Sequence, residues 1–297
     1  IHSMTGVSRM NTFTKFMGAA AASLALATAA APAHAEDEFG YSITIGGTSD
    51  YVFRGFSNSN RDPAVQGSFD MTYGIWYAGI WASNTDYPNF GGPCSVDGNF
   101  DDCDNIGEIG PGEVDYYIGV KPVWGPVTFD LAIPYYTFPG QNGDSFDGDY
   151  FELKGGASVS PVKDLTLTVN NYYAWDFQWE SGEVYTIEGI ASYALPSWGM
   201  FSPTISGTFG SQWGFDDRYI AFANAWGDDE YQWWNAGLSL TVEKFTMDFR
   251  YWDTALSDAA DAGCDFNSSN ASSFQCGPPL SSRPRSRCPS HCATFAT

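Results

Sequence analysis

From Tyr41 onward the chain shows no sustained helical period. Segments of about ten residues instead alternate apolar and polar positions, the pattern of strands with two different faces. Val114, Tyr116, Ile118 and Val120 alternate with Glu113, Asp115, Tyr117, Gly119 and Lys121. Val127, Phe129, Leu131 and Ile133 alternate with Thr128, Asp130 and Ala132. Further alternating runs are Leu165–Val169, Trp234–Val242 and Phe245–Tyr251. The pattern predicts eleven strands, at 41–56, 64–73, 75–84, 113–122, 126–136, 149–160, 164–176, 183–195, 200–210, 231–243 and 245–254.

The connections sort by length. Those at 57–63, 85–112, 137–148, 177–182, 211–230 and 255–277 are mostly long and acidic. The intervening ones, at Gly74, 123–125, 161–163, 196–199 and Lys244, are tight and rich in Pro and Gly. A secreted β-sandwich has no reason to sort its connections this way. An outer-membrane barrel does, with short periplasmic turns and long external loops. The expected fold is therefore all-β, a transmembrane antiparallel up-and-down β-barrel. Bacterial single-chain barrels have even strand numbers, so twelve strands are expected, with the last apparently lost.

Composition narrows the picture. Aromatic residues make up 17% of the 297 positions and charged residues 16%, which excludes a disordered chain. Tyr73, Trp76, Tyr77, Trp124, Trp198, Phe201 and Phe245 fall at turn-side strand ends. Tyr135, Tyr136, Phe138, Tyr172, Tyr173, Trp175, Trp213, Trp233 and Trp252 fall near the loop side. Such a distribution predicts two aromatic girdles at the membrane interfaces. On the polar alternate positions, Arg54, Asp70, Asp115, Lys121, Asp130, Glu152, Lys154, Glu188, Asp248 and Arg250 are expected to line a pore. Facing rows of these charges would set a field across it, or would pair and plug a narrow barrel.

Charge divides the chain into three zones. Residues 1–35 carry Arg9 and Lys15 and no acid, and residues 278–297 carry Arg283, Arg285 and Arg287 and no acid. Removing those five bases from the formal −22 leaves −27 on residues 36–277. That excess excludes a generic nucleic-acid-binding protein, which needs a basic face.

The first zone reads as a cleaved signal peptide with an upstream extension. Lys15 precedes an Ala-rich apolar run from Gly18 to Ala31, and Ala33-His-Ala35 before Glu36 matches the small-x-small cleavage pattern. The start is expected at Met10 or Met4. Residues 36–277 form the barrel. The tail at 278–297 contains Pro278, Pro279, Pro284 and Pro289 and does not alternate, so no membrane strand is expected there. A frameshift after Gly277 would account for it.

Export passes through an oxidising compartment. Cys94 and Cys103 share one long loop, and Cys264 and Cys276 share another, which predicts two loop-local disulfides.

One run is distinctive. Thr48-Ser-Asp-Tyr-Val-Phe-Arg-Gly-Phe-Ser57, followed by Asp62-Pro-Ala-Val-Gln-Gly-Ser-Phe-Asp70 and Tyr77-Ala-Gly-Ile-Trp-Ala-Ser-Asn84, resembles the N-terminal signature of the TorF-type porin family of proteobacteria. Phe249-Arg-Tyr-Trp-Asp-Thr254 is similar to that family's penultimate strand. The resemblance runs from about residue 40 to 277 and implies a Gram-negative outer-membrane barrel. It implies little about the solute.

The functional expectation is a porin-like channel for passive diffusion of small solutes or ions, favouring cations because the loops are acidic. The alternatives are a non-conducting structural or adhesive barrel and a barrel enzyme. The only histidines are His2, His34 and His291, so the barrel has no imidazole for Ser-His-Asp catalysis, and no nucleophile motif is present. No cofactor is expected. Asp101, Asp102 and Asp104 are weak metal candidates, since their spacing does not fit a calcium loop. Expected partners are outer-membrane lipid and lipopolysaccharide, the barrel-assembly machinery and the solute.

Overall fold

The computed structural model describes residues 39–86, 110–141, 148–216, 230–255 and 294–295. In chain order its strands are β1 (Phe39–Thr48), β2 (Val52–Phe53), β3 (Phe56–Ser57), β4 (Ala64–Tyr73), β5 (Trp76–Asn84), β6 (Gly112–Val120), β7 (Val123–Trp124) and β8 (Val127–Thr137). There follow β9 (Tyr150–Phe151), β10 (Leu153–Val162), β11 (Leu165–Ala174), β12 (Val184–Ala194), β13 (Ser202–Gly214), β14 (Glu230–Val242), β15 (Phe245–Thr254) and β16 (Thr294–Phe295).

Spatial order follows chain order. One antiparallel sheet runs β1-β4-β5-β6-β8-β10-β11-β12-β13-β14-β15-β16. This is the up-and-down meander that the sorted connections imply. Among the described residues, every strand on this path except β16 has at least nine residues, enough for a tilted membrane crossing of about 9–11 residues. β16 pairs with β15 through Phe249↔Phe295 and Arg250↔Thr294 and also lies against β1. The two ends of the sheet therefore meet, and the sheet curls into a barrel.

In the tail, where no membrane strand is expected, Thr294 and Phe295 occupy the twelfth position. They lie beyond Pro289, the last residue unable to donate to a ladder, and the pairing extends over two residues only.

The first strand was expected to run to residue 56, yet β1 ends at Thr48. Local bonds divert the backbone. The Thr48 hydroxyl donates to the Asp50 carbonyl at 2.7 Å, and the Asp50 carboxylate accepts from Ser57 at 2.5 Å and Ser59 at 3.2 Å. Tyr51 N–H donates to the Ser59 hydroxyl at 2.8 Å. Side chains of this kind offer the backbone an alternative to the ladder. The chain leaves the wall, and β2 and β3 pair with each other as a separate hairpin. Thr48 and Ala64 are direct partners, so 49–63 is an excursion from an otherwise continuous β1–β4 pair.

Burial is inverted relative to a water-soluble protein. Ile43, Ile45, Ile118, Leu131, Ile133, Val169, Ile205, Phe209 and Phe249 point outward and are exposed, Ile45 to 76%. Glu113, Asp115, Glu152, Lys154, Glu188 and Asp248 point inward and are buried. A protein in water has the opposite economy, since charged side chains are almost never fully buried there.

Candidate functional site

The hairpin 49–63 folds into the loop-side mouth of the barrel. At its tip, Arg54 (φ 48°) and Gly55 (φ 80°) are both left-handed, the requirement of the two-residue turn joining β2 to β3. This projects the Arg54 side chain across the lumen to the far wall.

There it meets a prepared set of groups. Its Nη1 and Nη2 donate to the two Glu152 carboxylate oxygens at 2.7 and 2.8 Å. Nη1 also lies 3.4 Å from Thr186 Oγ1 and 3.4 Å from Gln212 Oε1. The guanidinium carbon sits 4.7 Å from the ring centres of Phe53 and Tyr172. The Tyr136 hydroxyl donates to Glu152 at 3.0 Å, and the Thr186 hydroxyl donates to Gln212 at 3.0 Å. Burial alone would lower the Arg54 pKa, but the adjoining Glu152 carboxylate outweighs it and holds the guanidinium well above its ordinary range.

Apolar contacts seat the rest of the hairpin. Tyr51 packs on Ala64 and Trp81, Val52 on Trp233 and Trp252, and Phe53 on Tyr136. Gly55 lies so close to the Trp233 Cβ that a Cβ added there would fall 2.6 Å from it.

These contacts correct the girdle expectation. Tyr136, Tyr172, Trp233 and Trp252 face inward and Phe138 is buried, so all are part of the seat and not of a lipid-facing belt. Tyr77 also turns inward, donating to Asp130 at 2.6 Å. An outward belt does exist at the loop side. Tyr135 stacks on Phe151 at 4.1 Å, Phe151 lies 6.1 Å from Trp175, and Tyr185 lies 5.8 Å from Trp213. Strand parity carried this distinction: if Leu131 and Ile133 face out, Tyr135 does and Tyr136 does not.

Of the expected pore-lining residues, Asp70, Asp115, Asp130, Lys154, Glu188, Asp248 and Arg250 lie on the inner face of the wall. Glu152 faces inward just before β10, and Lys121 follows β6. Arg54 is not on the wall, because β1 ends before it. The charges gather into local pairs and not into facing rows. Lys154 Nζ meets Asp130 at 2.8 Å, and Lys121 lies 4.7 Å over the Tyr77 ring. Burial lowers the Lys121 ammonium below the usual lysine range against the attraction of Asp130. Arg250 Nε donates to Asp248 at 3.0 Å, and its other nitrogens donate to Asn235 at 2.5 Å and Ser206 at 2.8 Å. Tyr117 donates to Asp70.

Asp115 contacts Glu113, and its Oδ1 has no hydrogen-bond partner among the described residues. Glu188 accepts from Tyr172 and lies near Arg54 and Lys154. The sequence pattern does not single out Thr186, Gln212 or Glu113 for the lumen, and it places Tyr172 in the girdle. Their inward parity was visible, but the convergence of Thr186, Gln212 and Tyr172 on Arg54, and the approach of Asn58 Nδ2 to Glu113 at 3.4 Å, were not.

The described residues contain no group of three or more His, Cys, Asp or Glu able to hold a metal ion. Asp101, Asp102, Asp104, the cysteines Cys94, Cys103, Cys264 and Cys276, and the cleavage positions Ala33, Ala35 and Glu36 lie outside the described residues.

Comparison with known proteins adds the following. No curated protein matches the chain. Among solved structures, the outer membrane channel DcaP of Acinetobacter baumannii is similar at 10% identity and a TM-score of 0.35, over 73% of this chain and 90% of that one. A family model matches residues 31–275, which span β1 to β15 and the hairpin 49–63, and by that match the chain belongs to the bacterial family Gcw_chp, described as a bacterial protein of unknown function.

Proposed function

We propose that the chain is an outer-membrane channel of the porin type, passing small solutes or ions by diffusion and preferring cations, here shut by its own first loop. The inverted burial carries this reading: an apolar outer face around a lumen of charged and polar side chains fits lipid outside and water inside. Cation preference follows from the lumen charge. Asp70, Glu113, Asp115, Asp130, Glu152, Glu188 and Asp248 face Arg54, Lys121, Lys154 and Arg250, an excess of acids. A cleaved signal peptide ending near Ala35, kinship with the TorF-type porins, and the Cys94–Cys103 and Cys264–Cys276 disulfides belong to the same proposal.

The hairpin also favours a second reading, a barrel that does not conduct. Because Thr48 pairs directly with Ala64, residues 49–63 can be replaced by an Asn-Gly turn without moving the wall. Planar-bilayer recording of that variant separates the readings. The channel reading expects discrete conductance steps with a cation-signed reversal potential in a KCl gradient. Silence from the variant, shown folded by heat-modifiable gel mobility, would eliminate it.

A further inference from the structure

Apart from Phe53 beside it on the hairpin, the group that holds Arg54 is built by the wall. Glu152 precedes β10, Tyr172 lies on β11, Thr186 and Glu188 on β12, and Gln212 on β13. Each is at least nine-tenths buried, with Glu152 at 1% and Thr186 at 0% exposure. Together they present two carboxylates, an aromatic face and two further acceptors to one point. This set matches a planar cation with several N–H donors: a guanidinium binds a carboxylate bidentately and stacks on a ring.

Among the described residues, the only guanidinium there comes from the excursion, not from the wall. Its backbone position is costly for that residue. Two-residue turns with both central residues left-handed favour Asn-Gly, and Arg is held at φ 48°. Lys154 does not substitute for it. Its ammonium is engaged by Asp130 at 2.8 Å and stands 6.0 Å from the Tyr172 ring. With the hairpin withdrawn, Glu152 and Glu188 would lack their principal counter-charge, an arrangement that strongly favours uptake of another cation.

We propose that this cage is a binding site for solutes bearing a guanidinium group, and that Arg54 is a tethered occupant which such a solute displaces. The proposal rests on the channel reading and names the solute class. Glu152 supplies the bidentate acceptor, Tyr172 the stacking face, and Thr186 and Gln212 the remaining acceptors.

The test uses the full chain in detergent, titrated calorimetrically with methylguanidinium and with its neutral isostere methylurea. Arg54→Ala vacates the cage. It is expected to bind methylguanidinium saturably, about tenfold or more tighter than the wild-type chain, as befits a buried stacking and ion-pair site from which the tethered occupant has been removed. Adding Glu152→Gln is expected to abolish that binding, and methylurea is expected not to bind. Binding by Arg54→Ala no tighter than by the wild type, or equal binding of methylurea, would overturn the proposal. Arg54→Gln carries the same readings if the alanine variant does not give the folded, heat-modifiable band. In planar bilayers, methylguanidinium is expected to block the hairpin-replaced variant, in which the first loop no longer shuts the lumen. Absence of conductance in every form would remove the channel reading while leaving the calorimetric answer intact.

Discussion

Replacing Glu152 by Gln keeps the shape of the side chain and removes its charge. The partner, Arg54, then remains a buried cation: the two side chains are 3% and 1% exposed, Arg54 first, and joined at 2.7 Å. Breaking a buried ion pair from one side typically costs about 3–5 kcal/mol. Here Arg54 keeps the rings of Phe53 and Tyr172, each at 4.7 Å, and such a contact is worth about 0.5–1 kcal/mol when exposed and about 2 kcal/mol when desolvated. Glu188 also remains nearby. The lower end, about 3 kcal/mol, is therefore expected, which shifts the docked-to-undocked ratio of the hairpin roughly hundredfold. The reporters are built in, because Trp81, Trp233 and Trp252 pack on the hairpin. Tryptophan emission should shift to the red at lower urea in Glu152→Gln than in the wild type. Arg54→Met combined with Glu152→Leu should recover most of the loss, since an apolar pair of similar volume commonly replaces a buried ion pair without penalty. A Glu152→Gln cost below about 1 kcal/mol, or a double variant as unstable as the two single losses summed, would refute the idea that this pair latches the hairpin.

Other expectations follow from the same geometry. Ile43→Arg places a charge on the outer face of β1 and should cost about 2–4 kcal/mol of folding into phospholipid vesicles; no cost would argue against lipid contact there. Gly210→Ala puts a Cβ 2.1 Å from Cζ2 of Trp233, which is 1% exposed and hemmed in by the hairpin. Urea unfolding in detergent should show a loss of about 1–3 kcal/mol, as for other overpacked sites. Asp130→Asn removes the partner of Lys154 and should move the reversal potential in a KCl gradient toward anions, an effect readable in the hairpin-replaced variant. Peptide mapping without reduction should join Cys94 to Cys103 and Cys264 to Cys276; a Cys94–Cys264 link would refute loop-local pairing.

The sequence by itself determined the wall. Two-residue parity in runs such as Val114–Val120 and Phe245–Tyr251 is a local property, fixed by the pleat, and it assigns lipid-facing and lumen-facing side chains strand by strand. The short turns and long loops then order the strands, because each antiparallel neighbour is the next in sequence. Even Tyr136 and Trp252 were assignable to the inner face by parity. What only the tertiary structure decided is where residues 49–57 go. Their alternation, in Tyr51 and Phe53, continues that of β1, and nothing local says that Thr48 and Asp50 turn the chain inward. The partners of Arg54 stand 98, 132 and 158 residues away, at Glu152, Thr186 and Gln212. No pattern within one strand encodes such a meeting. It exists because closing the sheet brings distant inner faces to a common axis, where a buried guanidinium must find its carboxylate.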